Sequence, residues 1–134
     1  MLDRERLIKL AVSRLGNPYR FGAKWRLSNP DDRGNIDCSG FTRWLYYQAG
    51  VSIPEGSQAQ YEGSVPVAIP LKGDLGFFWS SEDKKIVNHV GLIADEEYII
   101  EARGKPYNEV ILRPRAKWEA YSLFTGYRRP SSLV

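Results

Sequence analysis

The sequence predicts an α+β fold in which helices pack on one face of an antiparallel sheet of five or six strands. Two observations lead to this prediction: apolar residues recur at helical spacing early in the chain, and short β-type segments separated by turns fill its second half. The length of 134 residues suits one domain, and 43% apolar with 26% charged residues is close to the globular average. We therefore expect residues 1–134 to form a single domain around a buried core.

The first predicted element is an amphipathic helix that follows Asp3, a suitable N-cap, and ends near Gly16. From Asn17 to Asn35 the chain has four Gly or Pro residues and several charges. This composition predicts a long loop, with a short extended piece at Tyr19–Phe21. Loops of this length are uncommon in small domains and are often functional.

A second helix is predicted from about Cys38 to Ala49, and a turn of helix is predicted near Ser57–Tyr61. Asp37 or Ser39 can cap the second helix, because both side chains accept hydrogen bonds from backbone N–H groups. Gly50 can end it, since glycine readily adopts the left-handed conformation that follows many helices.

The chain changes to β character after Pro70. The predicted strands are Asp74–Trp79, His89–Ala94, Tyr98–Ala102, Val110–Arg113 and Phe124–Arg128. Three acidic residues form a turn between the second and third of these strands, which predicts an antiparallel hairpin. Pairing of Ala94 with Tyr98 would set its register.

Composition excludes several classes of function. A net charge of +3 is too small to indicate a nucleic-acid module, and the aromatic residues are more simply core and cleft lining. No apolar run approaches the roughly 18–20 residues of a membrane span, and no secretory signal follows the charged N-terminus. We therefore expect a cytoplasmic or phage-associated protein. One Cys and one His exclude a disulfide framework and a Cys-rich zinc cluster, so neither metal nor cofactor is expected.

Cys38 is the only thiol and the candidate nucleophile. A lone Cys is most often a small buried hydrophobe. Cys38, however, begins a predicted helix, where unpaired backbone N–H groups stabilise negative charge, and the thiolate is the reactive form of Cys. Its neighbours Ser39 and Gly40 are small and leave the sulfur accessible.

His89, the only His, is the candidate base, because a cysteine nucleophile needs one nearby. A lone His is more often incidental, but this one opens an apolar strand that would fix its position. In the predicted hairpin His89 lies opposite Arg103, and Glu101 lies one diagonal step away on the same face. An Arg cannot accept the imidazole N–H, so Glu101 is the candidate that orients the ring. The alternative for Glu101 is an edge-strand charge that faces water.

These residues lie in segments that resemble the NlpC-type family of cell-wall cysteine peptidases. Asp37-Cys38-Ser39-Gly40-Phe41 resembles the nucleophile motif of that family, and Asn88–Ile93 is similar to its base-bearing strand. Three further segments resemble family motifs in the same order: Gly16–Gly22, Ser57–Gln60 and Gly73–Phe78. The resemblance spans about residues 5–129, and the only Cys and the only His occupy its two key positions.

The resemblance implies a papain-like core and hydrolysis of peptidoglycan stem peptides or muropeptides, typically at the γ-D-glutamyl–diamino acid bond. It implies that Cys38 is the nucleophile and His89 the base, with no cofactor. Glu101 occupies a third position where the family usually has His. An acid there is chemically able to orient imidazole and favours a thiolate–imidazolium pair.

The resemblance also implies residues that bind substrate or the oxyanion. Tyr19 matches a Tyr near the nucleophile, whose hydroxyl contacts the thiol or the oxyanion. Asp37 and Ser39 match positions that hold the substrate's free amine in some members. Ser57 begins a matching Ser-x-x-Gln stretch and is kept as a further candidate.

The segment from Tyr19 to Cys38 departs from the family, because it is longer by about half a dozen residues. It carries charged and aromatic residues beside the expected cleft: Lys24, Trp25, Arg26, Asp31, Asp32 and Arg33. The substrate preference of the family is therefore not assigned to this protein. Two alternatives remain open, namely an amidase or acyltransferase of the same fold acting on another acyl substrate, and a non-catalytic module that binds wall or phage-tail components. A phage or prophage setting also fits a small cationic hydrolase.

Overall fold

The computed structural model describes residues 2–26 and 34–134, and the helices and strands belong to that part of the chain. The helices are α1 (Arg4–Ser13), α2 (Cys38–Gln48), α3 (Ser57–Glu62) and α4 (Arg115–Glu119). The strands are β1 (Ser64–Pro66), β2 (Leu75–Trp79), β3 (Val87–Ile93), β4 (Tyr98–Arg103), β5 (Glu109–Pro114) and β6 (Phe124–Pro130). Three residues of the long loop, Asp31, Asp32 and Arg33, lie outside the described residues.

The six strands form one antiparallel sheet in the order β1-β6-β2-β3-β4-β5. The predicted β3–β4 hairpin is confirmed in its register, since Leu92 pairs with Ile100 and the Ala94 N–H donates to the Tyr98 carbonyl at 3.0 Å. The turn is held by the Asp95 carboxylate, which accepts hydrogen bonds from two backbone N–H groups. β1 was not predicted, because three residues are too few to show alternation.

The two long helices begin where the sequence predicts. The Asp3 carboxylate accepts from the Arg6 N–H at 3.1 Å and caps α1. The Asp37 carboxylate accepts from the Gly40 N–H at 2.7 Å and caps α2, so Asp37 rather than Ser39 is the cap. Both helices end just before a glycine with positive φ, as expected from their C-terminal sequences.

The main core lies between the sheet and α1, α2 and α3. Along β2, Leu75 and Phe77 point into this core, while Phe78 points to the opposite face of the sheet. The opposite face carries α4, whose Trp118 packs there with Ile93. α4 was not predicted, because a five-residue helix after a proline shows no helical periodicity. The α+β prediction is confirmed, and α4 adds a small second layer to it.

Within residues 2–26 and 34–134, no helix is long and apolar enough to cross a membrane.

Candidate active site

Cys38 is the first residue of α2 and lies where that helix meets the sheet. Its side chain is largely buried and lies beside the imidazole of His89, whose pKa it raises. The Cys38 N–H belongs to the first turn of α2, where N–H groups have no acceptor within the helix. The thiol therefore lies beside both a base and a group of backbone donors.

His89 lies on β3 and contacts Glu101 of β4. The imidazole Nε2 is 2.6 Å from Glu101 Oε1, as the predicted diagonal arrangement on one face of the hairpin requires. Because Nε2 is used by the carboxylate, the other ring nitrogen, Nδ1, is left for the thiol. The structure thus brings Cys38, His89 and Glu101 into one chain of contacts.

Glu101 is fully buried and is held by three donors. Besides the imidazole, Arg103 donates to Oε1 at 3.1 Å, and the indole N–H of Trp118 donates to Oε2 at 2.9 Å. Both carboxylate oxygens are therefore paired, which fixes the orientation of the group. The alternative of a surface charge facing water does not hold for this residue.

This arrangement changes the pKa values of the pair. Burial lowers the pKa of His89, but hydrogen bonds and negative charge from Cys38 and Glu101 outweigh it and raise that pKa to about 9. Burial raises the pKa of Glu101, but the hydrogen bond and charge of His89, with help from Trp118 and Arg103, hold it below its ordinary value. The imidazole is therefore protonated and the carboxylate ionised at neutral pH.

Two paired glycines make room for the indole that holds Glu101. Gly76 of β2 pairs with Gly91 of β3 under the Trp118 ring. A Cβ on Gly91 would lie 2.7 Å from the ring, and one on Gly76 would lie 3.0 Å from it. Phe78 packs against the same indole, with ring centroids 4.3 Å apart, and stacks on the imidazole.

Tyr19 lies near the thiol, as the resemblance implies. Burial raises the pKa of its hydroxyl, and the negative charges of Cys38 and Asp37 raise it further. Its backbone forms a short bridge with Ile36, and Gly104 lets the ring approach, since a Cβ there would lie 3.2 Å from the ring. The Tyr19 hydroxyl stays neutral and can donate a hydrogen bond beside the Cys38 thiol.

Asp37 and Ser39 flank Cys38 and contact each other. The Ser39 hydroxyl donates to Asp37 Oδ1 at 3.4 Å. The Lys24 ammonium lies 2.8 Å from Asp37 Oδ2 and 3.1 Å from the Ser39 hydroxyl. A side chain from the long loop thus covers this polar pair.

Ser57 is engaged elsewhere. Its hydroxyl donates to the Val87 carbonyl at 3.4 Å, which joins the start of α3 to the start of β3. Gln60, at the end of the same Ser-x-x-Gln stretch, is buried and donates to the Ser39 carbonyl at 3.0 Å while accepting from Thr42. These contacts indicate that the stretch positions the first turn of α2, and a role for Ser57 in substrate binding stays a prediction.

A cleft of about 340 Å³ borders the imidazole of His89. It is lined by the following residues: Tyr19, Phe21, Phe78, Trp79, Ser80, Asn88, His89, Arg103, Gly104, Lys105, Tyr121 and Leu123. Phe21 is 89% exposed, so an apolar ring stands in water at the edge of the cleft. The cleft leaves one side of the imidazole open to solvent.

Sequence reasoning missed three contacts of this site: those of Lys24 with Asp37, of Arg103 with Glu101, and of Trp118 with Glu101. Arg103 stands two residues after Glu101 on one strand face, and that spacing could have signalled its contact. Trp118 and Lys24 reach the site only through tertiary packing, and no local pattern marks them.

Comparison with known proteins supports the same family that the sequence motifs resemble. The sequence model described as "NlpC/P60 family" matches residues 16–128. A protein of Corynebacterium glutamicum named "Probable endopeptidase" is 36% identical over 98 residues, which are 72% of this chain and 41% of that protein. The Bacillus subtilis "Bifunctional muramidase/DL-endopeptidase CwlT" is 32% identical over 90 residues, 66% of this chain and 26% of CwlT.

The fold matches solved structures as well. The peptidoglycan hydrolase RipB of Mycobacterium tuberculosis superposes with a TM-score of 0.69 at 29% identity, covering 94% of this chain and 63% of RipB. The chain spans less than half the length of the two curated relatives, 41% and 26%.

Proposed function

The chain belongs to the NlpC/P60 family, and on that premise we propose that it is a cysteine endopeptidase that hydrolyses peptidoglycan stem peptides. The observation that carries the proposal is the chain of contacts from the Cys38 thiol through His89 to the buried carboxylate of Glu101. A nucleophile, a base and a group that orients the base are the parts that acyl transfer by a thiol requires.

The bond proposed is the γ-D-glutamyl–diamino acid bond. The name DL-endopeptidase carried by CwlT supports this bond, and the description of RipB as a peptidoglycan hydrolase supports the substrate class. The cytoplasmic or phage-associated setting expected from the sequence stays a prediction, as does contact with phage-tail components.

The proposed reaction proceeds through a thioester. The Cys38 thiolate attacks the γ-carbonyl carbon, and backbone N–H groups at the start of α2 donate to the developing oxyanion. The His89 imidazolium gives its proton to the leaving amine as the C–N bond breaks. His89 then takes a proton from water, whose oxygen attacks the thioester; the C–S bond breaks, which releases the acid and restores the Cys38 thiolate beside the His89 imidazolium.

The test is mass spectrometry of muropeptides incubated with the wild type and with Cys38→Ala. The mixture contains free tripeptides and disaccharide-linked stems, each with diaminopimelate or lysine. We expect products split after γ-D-Glu with the wild type and none with Cys38→Ala. Equal cleavage by the variant would overturn the assigned nucleophile.

The alternatives separate in the same experiment when cysteine alkylation is measured alongside it. No cleavage with rapid, pH-dependent alkylation of Cys38 would favour another acyl substrate, since the thiol would still be activated. No cleavage with slow alkylation would favour a non-catalytic binding module.

A further inference from the structure

The ammonium of Lys24 occupies a polar site beside the nucleophile. It lies 2.8 Å from Asp37 Oδ2 and 3.1 Å from the Ser39 hydroxyl, the two residues on either side of Cys38. About a third of the Lys24 side chain is exposed, against 5% for Asp37. Lys24 therefore separates the buried carboxylate from solvent.

The acceptors at this site are already engaged. Asp37 Oδ1 accepts from the Gly40 N–H and the Ser39 hydroxyl, and Oδ2 accepts from Lys24. With Lys24 removed, Oδ2 and the Ser39 hydroxyl would face the site as two acceptors for an ammonium group. A positively charged amine of a substrate would have to displace Lys24 to reach them.

The loop that carries Lys24 is held tightly against α2. The Asp37 N–H donates to the Ala23 carbonyl at 2.9 Å, and a Cβ on Gly40 would lie 2.8 Å from the Trp25 nitrogen. Only glycine permits this approach, so the position of Lys24 is built into the first turn of the helix. His89, by contrast, approaches the thiol from the sheet.

The positions of His89 and Lys24 indicate which part of the substrate lies near each of them. The leaving amine must lie within reach of His89, so the acyl part extends along the first turn of α2, towards Lys24. In a stem peptide, the amino group of the first residue lies one residue before the glutamyl carbonyl under attack. That group is a cation in a free peptide and a neutral amide when the stem is attached to glycan.

We propose that Lys24 makes the enzyme select stem peptides whose amino end is acylated, as in intact wall, over peptides with a free amine. The selection rests on the function proposed above and deepens it. A like charge placed where a competing substrate carries its cation is an effective means of discrimination.

The test uses a matched pair of tripeptides, L-Ala-γ-D-Glu-diaminopimelate with a free or an acetylated amino terminus. We expect the wild type to prefer the acetylated peptide by about tenfold in kcat/KM. In Lys24→Ala, cleavage of the free peptide rises and the preference is lost, whereas Lys24→Arg keeps it. Lys72→Ala, which breaks an exposed ion pair with Glu5, is the matched control and leaves the ratio unchanged.

An unchanged ratio in Lys24→Ala would overturn the proposal, even if both rates fell, because a purely structural lysine would affect both peptides alike. The same preference can be measured as binding affinity, without cleavage, in the inactive variant Cys38→Ala. Calorimetry would compare the two peptides in Cys38→Ala and in the double variant that also carries Lys24→Ala. Binding preference without cleavage would overturn the proposed peptidase and leave the role of Lys24 supported. Equal binding of both peptides, or binding of neither, would overturn the role of Lys24.

Discussion

Glu101 is the fully buried acid of the site. A buried carboxylate is unfavourable unless its charge is paired and its lone pairs are used. Three donors, from His89, Arg103 and Trp118, satisfy it. The acid therefore does more than orient the ring, because, together with Cys38, it raises the pKa of the imidazole to about 9.

Replacing that charge should move the pH profile. The leaving amine needs the His89 proton, so wild-type kcat/KM falls as pH rises through about 9. In Glu101→Gln the pKa of His89 drops, and this basic limb moves to lower pH by about 1–3 units. Activity at the optimum falls by roughly 10²-fold. Steady-state kinetics between pH 5 and pH 10 would check both.

The control for this variant is Glu62→Gln, which changes an exposed acid on α3 and should leave the profile unchanged. A Glu101→Gln enzyme with an unmoved basic limb would contradict the assignment of that limb to His89.

At the scale of elements, the site depends on how α4 sits on the sheet. The Trp118 indole fits over Gly76 and Gly91, which are paired on neighbouring strands. The same indole donates to Glu101, so the spacing of two strands and a short helix fixes the direction of a carboxylate. The glycines in the two strand motifs are explained by this packing.

Gly91→Ala should therefore damage both stability and activity. The added methyl would lie 2.7 Å from the indole and force it to move. We expect a loss of about 1–3 kcal/mol in unfolding free energy. We also expect kcat/KM to fall, because the Trp118–Glu101 hydrogen bond is broken. Denaturant unfolding and kinetics would measure the two effects.

A double-mutant cycle gives the control. Trp118→Phe removes the part of the indole that the new methyl would meet, so adding Gly91→Ala to it should destabilise the protein less than in the wild type. Strictly additive losses would show that the clash is not the cause.

The sequence could predict those parts of the site that depend on local pattern. The hairpin turn and the alternation of β3 and β4 placed Glu101 diagonal to His89, and the cap at Asp37 placed Cys38 at a helix start. It could not predict α4, whose five residues have no period to detect. Nor could it predict Lys24, because the fold of an irregular loop decides where its ammonium lies.

At the scale of the whole molecule, one buried carboxylate joins elements distant in the sequence. Asp74 precedes β2 and pairs with Arg4 of α1 at 3.1 Å and with Arg129 of β6 at 2.8 Å. Its side chain is fully buried, so the charge depends on these partners. The first helix and the last strand are thereby held to the centre of the sheet by the same group.

The substitution Asp74→Asn should destabilise the attachment of α1 and of β6 to the sheet together. Removing one member of a buried charge network costs about 3 kcal/mol, equivalent to a fall of roughly ten degrees in Tm for a domain of this size. Hydrogen exchange should show protection lost in α1 and β6 together, with the β3–β4 hairpin less affected. Loss confined to one of the two elements would contradict a shared role for Asp74.

The indole beside the imidazole has an optical consequence. Trp118 lies with its ring centroid 5.7 Å from that of His89, and an excited indole is quenched by a protonated imidazole more strongly than by a neutral one. The fluorescence of this side chain therefore depends on whether His89 holds its proton. Trp118 fluorescence therefore reports the protonation state of His89 in the free protein, before any substrate binds.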